Sequence, residues 1–296
     1  MRWLWRIAAG LVLAATAAAF LGRFGEPFEL LSNFRVQFLI LAGLLIAPAF
    51  VTRDRATIAM VLLALAGNTL GIVPHTLNTA PQPPAAATPT RIVWANLYRK
   101  QDALDRLAAW LDTHPADIVA VTELPPGGEG ALARALPEFT CVTGHQEDGN
   151  PFAVAIAARA SACAKTPTSA DVQTLPAQSL TVIALHSRPP WDNRRLAERD
   201  HTIDEAISLA KDNRSVIVGD FNATPWSPVF RAMDANHLRR ANCGAPWRPS
   251  WRSQNPLLGL TLDQAWLGPN LGVVSCDLGP DIGSDHRPLV LTVGPR

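Results

Sequence analysis

Three apolar runs fill the first quarter of the chain. Ile7 to Phe20 holds only apolar or small residues and lies between Arg2, Arg6 and Arg23. Val36 to Val51 is interrupted only by Gln37, and Ala56 to Val73 carries Thr57, Asn68 and Thr69 as its polar positions. A bilayer-crossing helix needs roughly 20 mostly apolar residues, with about 17 as the short limit. The pattern predicts a membrane region over residues 1–73 with about three transmembrane helices. Alone, the first run also fits a cleaved signal peptide, with a basic start and the small Ala17-Ala18-Ala19. Two further runs close behind favour a bundle. Residues 74–90 follow, with five prolines among Ala and Thr and no apolar period. They read as a semi-extended, Pro-rich linker.

From Arg91 the pattern changes to short apolar runs separated by helical periods. Arg91–Tyr98, Asp117–Thr122, Phe139–Val142, Phe152–Ala158, Leu180–Leu185, Val216–Asn222, Leu262–Leu267, Gly272–Cys276 and Val290–Val293 read as strands. Leu104, Leu107, Ala108 and Leu111 keep helical spacing behind Asp102, a candidate cap. Ala131–Leu136, about Asn193 to Lys211, and Pro228–Ala235 are further helices. Strands and helices do not alternate strictly. This predicts an α+β domain over 91–296 with mixed or antiparallel sheets rather than a doubly wound one.

Charge sharpens this picture. Only six of the 26 Lys and Arg and three of the 25 Asp and Glu precede Arg91, so the second part is slightly acidic. That balance counts against a non-specific nucleic-acid binder. Arg2, Arg6, Arg53 and Arg55 mark one side of a three-helix bundle as cytoplasmic. Three crossings then put the C-terminal domain outside. In a bacterial cell this is a multi-pass inner-membrane protein with a periplasmic domain. All four cysteines (Cys141, Cys163, Cys243 and Cys276) fall in that domain, which suits disulfides in an oxidising compartment. Neighbours in sequence, Cys141–Cys163 and Cys243–Cys276, are the expected pairs among three pairings.

Polar residues recur where buried strands give out. Asn96, Glu123, His186, Asp220, Asn222, Asp285 and His286 stand at or just past strand ends, and Asp263 near the start of one. Taken singly each has a plain reading: Asp220-x-Asn222 as a polar turn, His186 as a satisfied core histidine, Glu123 as a turn cap. Together they supply oxygen ligands for a hard cation and imidazoles for proton transfer.

The order of the motifs resembles the endonuclease/exonuclease/phosphatase superfamily, the DNase I-like metal-dependent phosphoesterases. Ile-Val-Trp-Ala-Asn96, the strand ending in Glu123, Ala-Leu-His186-Ser, Gly-Asp220-Phe-Asn222, Pro-Ser250-Trp251, Leu-Asp263-Gln and Ser-Asp285-His286 resemble its motifs in sequence order. The resemblance implies a four-layer α/β/β/α sandwich preceded by the transmembrane segment. It further implies Mg²⁺ or Mn²⁺ held by Asn96, Glu123 and Asp285, and catalysis by His186, Asp220, Asn222, Asp263 and His286, with His286 oriented by Asp263 as the base. The expected substrate is a phosphate ester: a lipid head group, a nucleotide, a sugar phosphate or nucleic acid. The expected partner is the bilayer; no protein partner is predicted. The function so implied is a membrane-anchored phosphodiesterase or phosphomonoesterase acting by in-line water attack. The alternatives are an extracytoplasmic nuclease of the same superfamily and a non-catalytic membrane-tethered binding module.

Overall fold

The computed structural model describes every residue except 1, 78, 85–87, 145–149, 160–167, 178–179, 211, 245–247, 253–254 and 256. The expected Cys163 pairing and the turn at residues 148–149 lie outside the described residues.

The apolar runs form helices. They are α1 (Arg2–Ala19), the short α2 (Phe28–Ser32), α3 (Arg35–Leu44), α4 (Ile46–Thr52) and α5 (Arg55–Leu77). α3 and α4 form one apolar stretch broken at Leu45. Pro48 explains the break, since it has no N–H to offer the Leu44 carbonyl. Two stretches, Arg35–Thr52 and Arg55–Leu77, are long and apolar enough to cross a membrane. α1 spans 18 residues, carries Arg2 and Arg6 in its first turns, and packs on α5 and α3. Buried Asn68 of α5 donates to Thr16 Oγ1 of α1 at 2.8 Å, and Arg6 pairs with Asp54 at 2.8 Å at the far end of the bundle.

The C-terminal part is a sandwich of two sheets. Its elements are β1 (Thr90–Asn96), α6 (Gln101–Thr113), β2 (Ile118–Thr122), α7 (Gly128–Ala135), β3 (Cys141–Gly144), β4 (Val154–Ala158), β5 (Val172–Ala177), β6 (Leu180–His186), α8 (Asn193–Leu209), β7 (Ser215–Asp220), α9 (Arg231–Ala235), β8 (Arg239–Arg240), β9 (Asp263–Leu267), β10 (Leu271–Leu278) and β11 (Leu289–Pro295). One sheet has the order β10-β11-β1-β2-β4-β3 and the other β5-β6-β7-β9-β8. Each has one parallel pair, β1–β2 and β6–β7, among antiparallel neighbours.

Alternation along the strands builds the layers. Ile92 and Trp94 of β1 face inward with Val182, Ala184, Val216 and Val218 of the other sheet. Val93 and Ala95 face outward onto Leu104, Leu107 and Leu111 of α6 and Leu132 of α7. Ile183 and Ile217 face outward onto Ile203 and Ala206 of α8 and Met233 of α9. The result is α/β/β/α. Cys243 and Cys276 are joined by a disulfide. Asp102 is not the cap: α6 starts one residue earlier, and Asp102 sits in its first turn, paired with Arg106 at 2.9 Å.

Described residues of the Pro-rich stretch make backbone contacts with the domain. α5 continues through Pro74 to Leu77, since a proline that close to a helix end forfeits a single bond. Ala80 N–H then donates to Arg240 O at 2.8 Å, Val273 N–H donates to Pro81 O at 2.9 Å, and Arg240 donates to His75 O at 2.6 Å. The domain also sits on the α1–α3 connection. Glu29 Oε1 meets Arg199 Nη1 at 2.7 Å, both side chains being 2% exposed, and accepts from Ser227 Oγ. Asn33 Oδ1 accepts from both the backbone N–H and the hydroxyl of Thr224, and Trp226 Nε1 donates to Ser32 O.

Removing one partner of a buried ion pair leaves the other charge unpaired, at a cost of about 3–5 kcal/mol. Glu29→Ala is therefore expected to lower the thermal stability of the full chain in detergent by several degrees. An unfolding midpoint equal to the wild type would show that this contact does not form in solution.

Candidate active site

The strand register assembles the site. His186 on β6 lies beside Asp220 on β7, and Asp220 lies opposite Asp263 on β9. Three adjacent strands thus end in one row of His, Asp and Asp. In the other sheet Asn96 lies beside Thr122, with Glu123 one residue past the strand. Gly219 permits the close approach of β6 and β7, because a Cβ there would run into the Leu185 carbonyl. His286 enters from the loop before β11 and pairs by a single bridge with Trp251.

Asp220 is the hub. Its Oδ1 accepts the Asn222 N–H at 3.0 Å. Its Oδ2 lies 3.6 Å from Nε2 of both His186 and His286, and 3.4 Å from the Asn96 amide nitrogen. Each imidazole is fixed from behind. His286 Nδ1 is 2.7 Å from Asp263 Oδ2, and Asp263 Oδ1 accepts from Trp94 Nε1 at 2.7 Å across the sandwich. His186 Nδ1 is 2.9 Å from Thr122 Oγ1. That hydroxyl gives its one proton to Ala153 O, so Nδ1 is the donor and Nε2 of His186 is left as an acceptor. Phe152 covers His186 at 4.8 Å between ring centres.

The titrations follow from these contacts. Burial opposes charge on His286, but Asp263 and Asp220 together push its pKa up to about 10. Burial likewise opposes charge on Asp263, yet the His286 charge and the hydrogen bonds from His286 hold it below the usual carboxylate range. Burial raises Asp220 to about 7, moderated by His286. Burial, reinforced by the His286 charge, lowers His186 to about 3 and keeps it neutral. Two imidazoles face one carboxylate, and the one backed by Asp263 takes the charge.

The remaining residues form the mouth. Asn96 donates to Glu123 Oε1 at 2.8 Å, and burial raises the Glu123 pKa. Glu123 and Asn222 both adopt left-handed backbone, at φ 48° and 45°, which turns their chains sharply at the strand ends. One Asn222 amide hydrogen is spent on Ser187 O. Asp285 Oδ2 accepts from Trp251 Nε1 at 2.9 Å, while its buried Oδ1 has no hydrogen-bond partner among the described residues. Ser250 Oγ accepts the backbone N–H groups of Leu262 and Asp263 and so sets the start of β9.

Asp220, Asp263 and His286 present ligand atoms within 4.8 Å of one another and could hold a metal ion. In this arrangement Asp263 and His286 already satisfy each other. The orphaned Asp285 oxygen and the Glu123 carboxylate, held by one Asn96 N–H, are the better fit to a hard cation, whose ligands are oxygens. Sequence reasoning missed Trp94, Thr122 and Phe152 as supports. All three are apolar-run residues with no local signal of a polar task.

The profile of the Endonuclease/Exonuclease/phosphatase family matches residues 93–286. The chain belongs to this family. No curated protein matches it in sequence. Solved structures share the fold. The endonuclease domain of TRAS1, a telomere-specific non-LTR retrotransposon, is 17% identical with a TM-score of 0.54, covering 70% of this chain and 99% of its own. A family member from Bacteroides vulgatus is 18% identical at 0.55, covering 71% and 100%. One from Beutenbergia cavernae is 15% identical at 0.54, covering 70% and 72%. The family fold, with clustered carboxylates and imidazoles at one edge, supports metal-dependent phosphoesterase chemistry in general.

The His286 charge depends on Asp263, so Asp263→Asn is expected to bring the His286 titration down from about 10 towards an ordinary histidine value. Metal-free protein with labelled histidine, titrated by NMR, reads this directly. The linkage has a definite sign. A folded pKa above the unfolded one adds stability that is complete below about pH 6.5 and fades as the pH rises through about 10. Unchanged titration in the variant would remove Asp263 as the cause.

Proposed function

We propose that this chain is a membrane-anchored, divalent-metal-dependent phosphoesterase that cleaves a phosphate ester by in-line attack of water. The observation that carries this reading is Asp220 Oδ2 standing between two buried imidazoles, one of them backed by Asp263. Asn96, Glu123 and Asp285 would hold Mg²⁺ or Mn²⁺, whose chemistry there is Lewis-acid polarisation of the phosphoryl group and neutralisation of its charge. Asp220, with a pKa near 7, accepts the proton of the attacking water; a base is most effective when its pKa lies close to the working pH. His286, charged and held by Asp263, presents Nε2–H to the charge that develops on the phosphoryl oxygens and gives its proton to the leaving oxygen, Asp220 returning the proton taken from water. This reading exchanges the roles expected from sequence, where His286 was the base and Asp220 the positioning group. His186 stays neutral, and its accepting Nε2 orients the water or the protonated Asp220. The second amide hydrogen of Asn222 is free for a phosphoryl oxygen. No covalent enzyme intermediate is needed.

The helical region supports the anchoring. With α1 as a third crossing, Arg2, Arg6, Arg53 and Arg55 gather at the end of the bundle away from the domain. The positive-inside rule then puts the domain on the extracytoplasmic, periplasmic side of a bacterial inner membrane.

Purified full-length protein in detergent is expected to hydrolyse bis-p-nitrophenyl phosphate with Mg²⁺ or Mn²⁺ and to lose this with EDTA. Asp220→Ala and His286→Ala are each expected to lower the rate by about 10²–10⁴-fold, the usual span of general acid–base contributions. Retention of most activity in both variants would refute the assignment. Folded protein that neither cleaves nor binds the metal would favour the non-catalytic binding module.

A further inference from the structure

The bundle touches the domain at the loops that build the active site. Thr224, which bonds Asn33 of the α1–α3 connection, is two residues past Asn222. Trp226 is buried against Val36 and Ile72, with Leu39 and Ile40 packed beside them. Val36, Leu39 and Ile40 belong to the first turns of the membrane-crossing stretch that starts at Arg35. Gln37, its third residue, donates to Gly259 O at 2.9 Å. At 1.5 Å rise per residue, Gln37 lies about 3 Å along the helix from Arg35. The turn ending in Gly259 therefore hangs beside the start of the span, at the depth of lipid head groups.

That turn carries Leu257 and Leu258, which are 59% and 54% exposed. Isolated exposed leucines are ordinary on a protein surface, but this adjacent pair lies level with the start of an apolar span. The opposite rim repeats the pattern. Trp191, 68% exposed, is two residues before Asn193, whose Oδ1 accepts the Glu26 N–H of the bundle. Phe24, also exposed, is two residues before Glu26. Arg195 lies over the Trp191 ring and Arg23 over Phe24. An indole beside an arginine is the kind of side-chain pair that settles at a bilayer interface, and the apolar Phe24 ring lies on the same rim.

Both rims run straight into the catalytic residues. Leu260 pairs with Trp251, which donates to Asp285 and bridges to His286. Trp191 follows His186 by five residues on a loop that also bears Arg188. We infer that the active-site edge opens on the bilayer surface, with Leu257, Leu258 and Trp191 set in the interface, and that the substrate is a phosphate ester borne by a membrane lipid. The choice of substrate rests on the phosphoesterase reading; the placement of the rim does not.

The test uses the full chain in vesicles of phosphatidylethanolamine and phosphatidylglycerol. No free cysteine is present among the described residues, and unsubstituted protein taken through the same nitroxide labelling gives the background against which Leu257→Cys is read. Ser208→Cys, exposed near the far end of α8, is the aqueous control. The ratio of oxygen to nickel-chelate accessibility is expected to be several-fold higher at 257 than at 208. Equal, water-like ratios would overturn the interfacial rim. Phosphate-ester cleavage in the same vesicles, with phosphatidic acid added, is then compared with bis-p-nitrophenyl phosphate. The wild type is expected to cleave lipid, and Leu257→Ser with Leu258→Ser to lower the ratio of lipid to soluble turnover several-fold. Turnover of the soluble ester with none of any lipid would overturn the lipid substrate. An interfacial label with neither ester cleaved would uphold the rim and defeat the phosphoesterase reading.

Discussion

The site is organised by the need to satisfy one carboxylate out of water. Asp220 is 2% exposed at the end of a central strand, where an unpaired charge would be costly. It is met by the Asn222 N–H, by the Asn96 amide and by two imidazoles at equal distance. Each of those partners is held in turn by something deeper. Asp263 and Trp94 stand behind His286, Thr122 behind His186, and Glu123 beside Asn96. The Trp94 bond crosses from one sheet to the other, so the face-to-face packing of the sandwich is itself a condition for placing His286. One charged imidazole beside a carboxylate that titrates near neutral pH is a proton-handling arrangement, and the two sheets are the frame that holds it.

The helical region is part of this frame. The Thr224–Ser227 segment follows directly from Asn222, and its polar groups bond to Glu29, Ser32 and Asn33 rather than to the domain's own loops. Glu29 and Arg199 are nearly sealed from solvent, so the junction is a packed interface between bundle and sandwich. Residues 79–83 add backbone bonds to β8 and to the start of β10. Helices and domain are thus in direct contact among the described residues. The candidate active-site edge and the end of the bundle share one set of contacts.

Much of this was legible along the chain because it rests on local periodicity. The unbroken apolar run at Ile92–Ala95 marks a strand buried on both faces, and the spacing at Leu104–Leu111 marks a helix face. Asp220, Asn222, Asp285 and His286 stood out because polar residues interrupt apolar strands where those strands end. β5 went unread: Val172–Ala177 includes Gln173, Thr174 and Pro176, a weak pattern that becomes a strand only by pairing with β6. Trp94, Thr122 and Phe152 read as core or turn residues, and their hydrogen-bond or ring partners lie 31 to 169 positions away. The prolines of residues 74–90 predicted a semi-extended linker. A proline rules out some backbone bonds but says nothing of the carbonyls beside it, and Pro81 O found Val273.

By itself the sequence determined the apolar helices, the short apolar strands, the order of the motifs and the family they belong to, because each depends on residues close together in the chain. Only the tertiary structure decided which imidazole carries the charge, since that depends on Asp263 lying 2.7 Å from one ring and Thr122 lying 2.9 Å from the other. It alone decided that the bundle grips the loop after Asn222, since Asn33 and Thr224 are 191 residues apart. Short-range patterns are written in the order of the chain. Electrostatic fields and packed interfaces depend on distance in space, which the order of residues does not state.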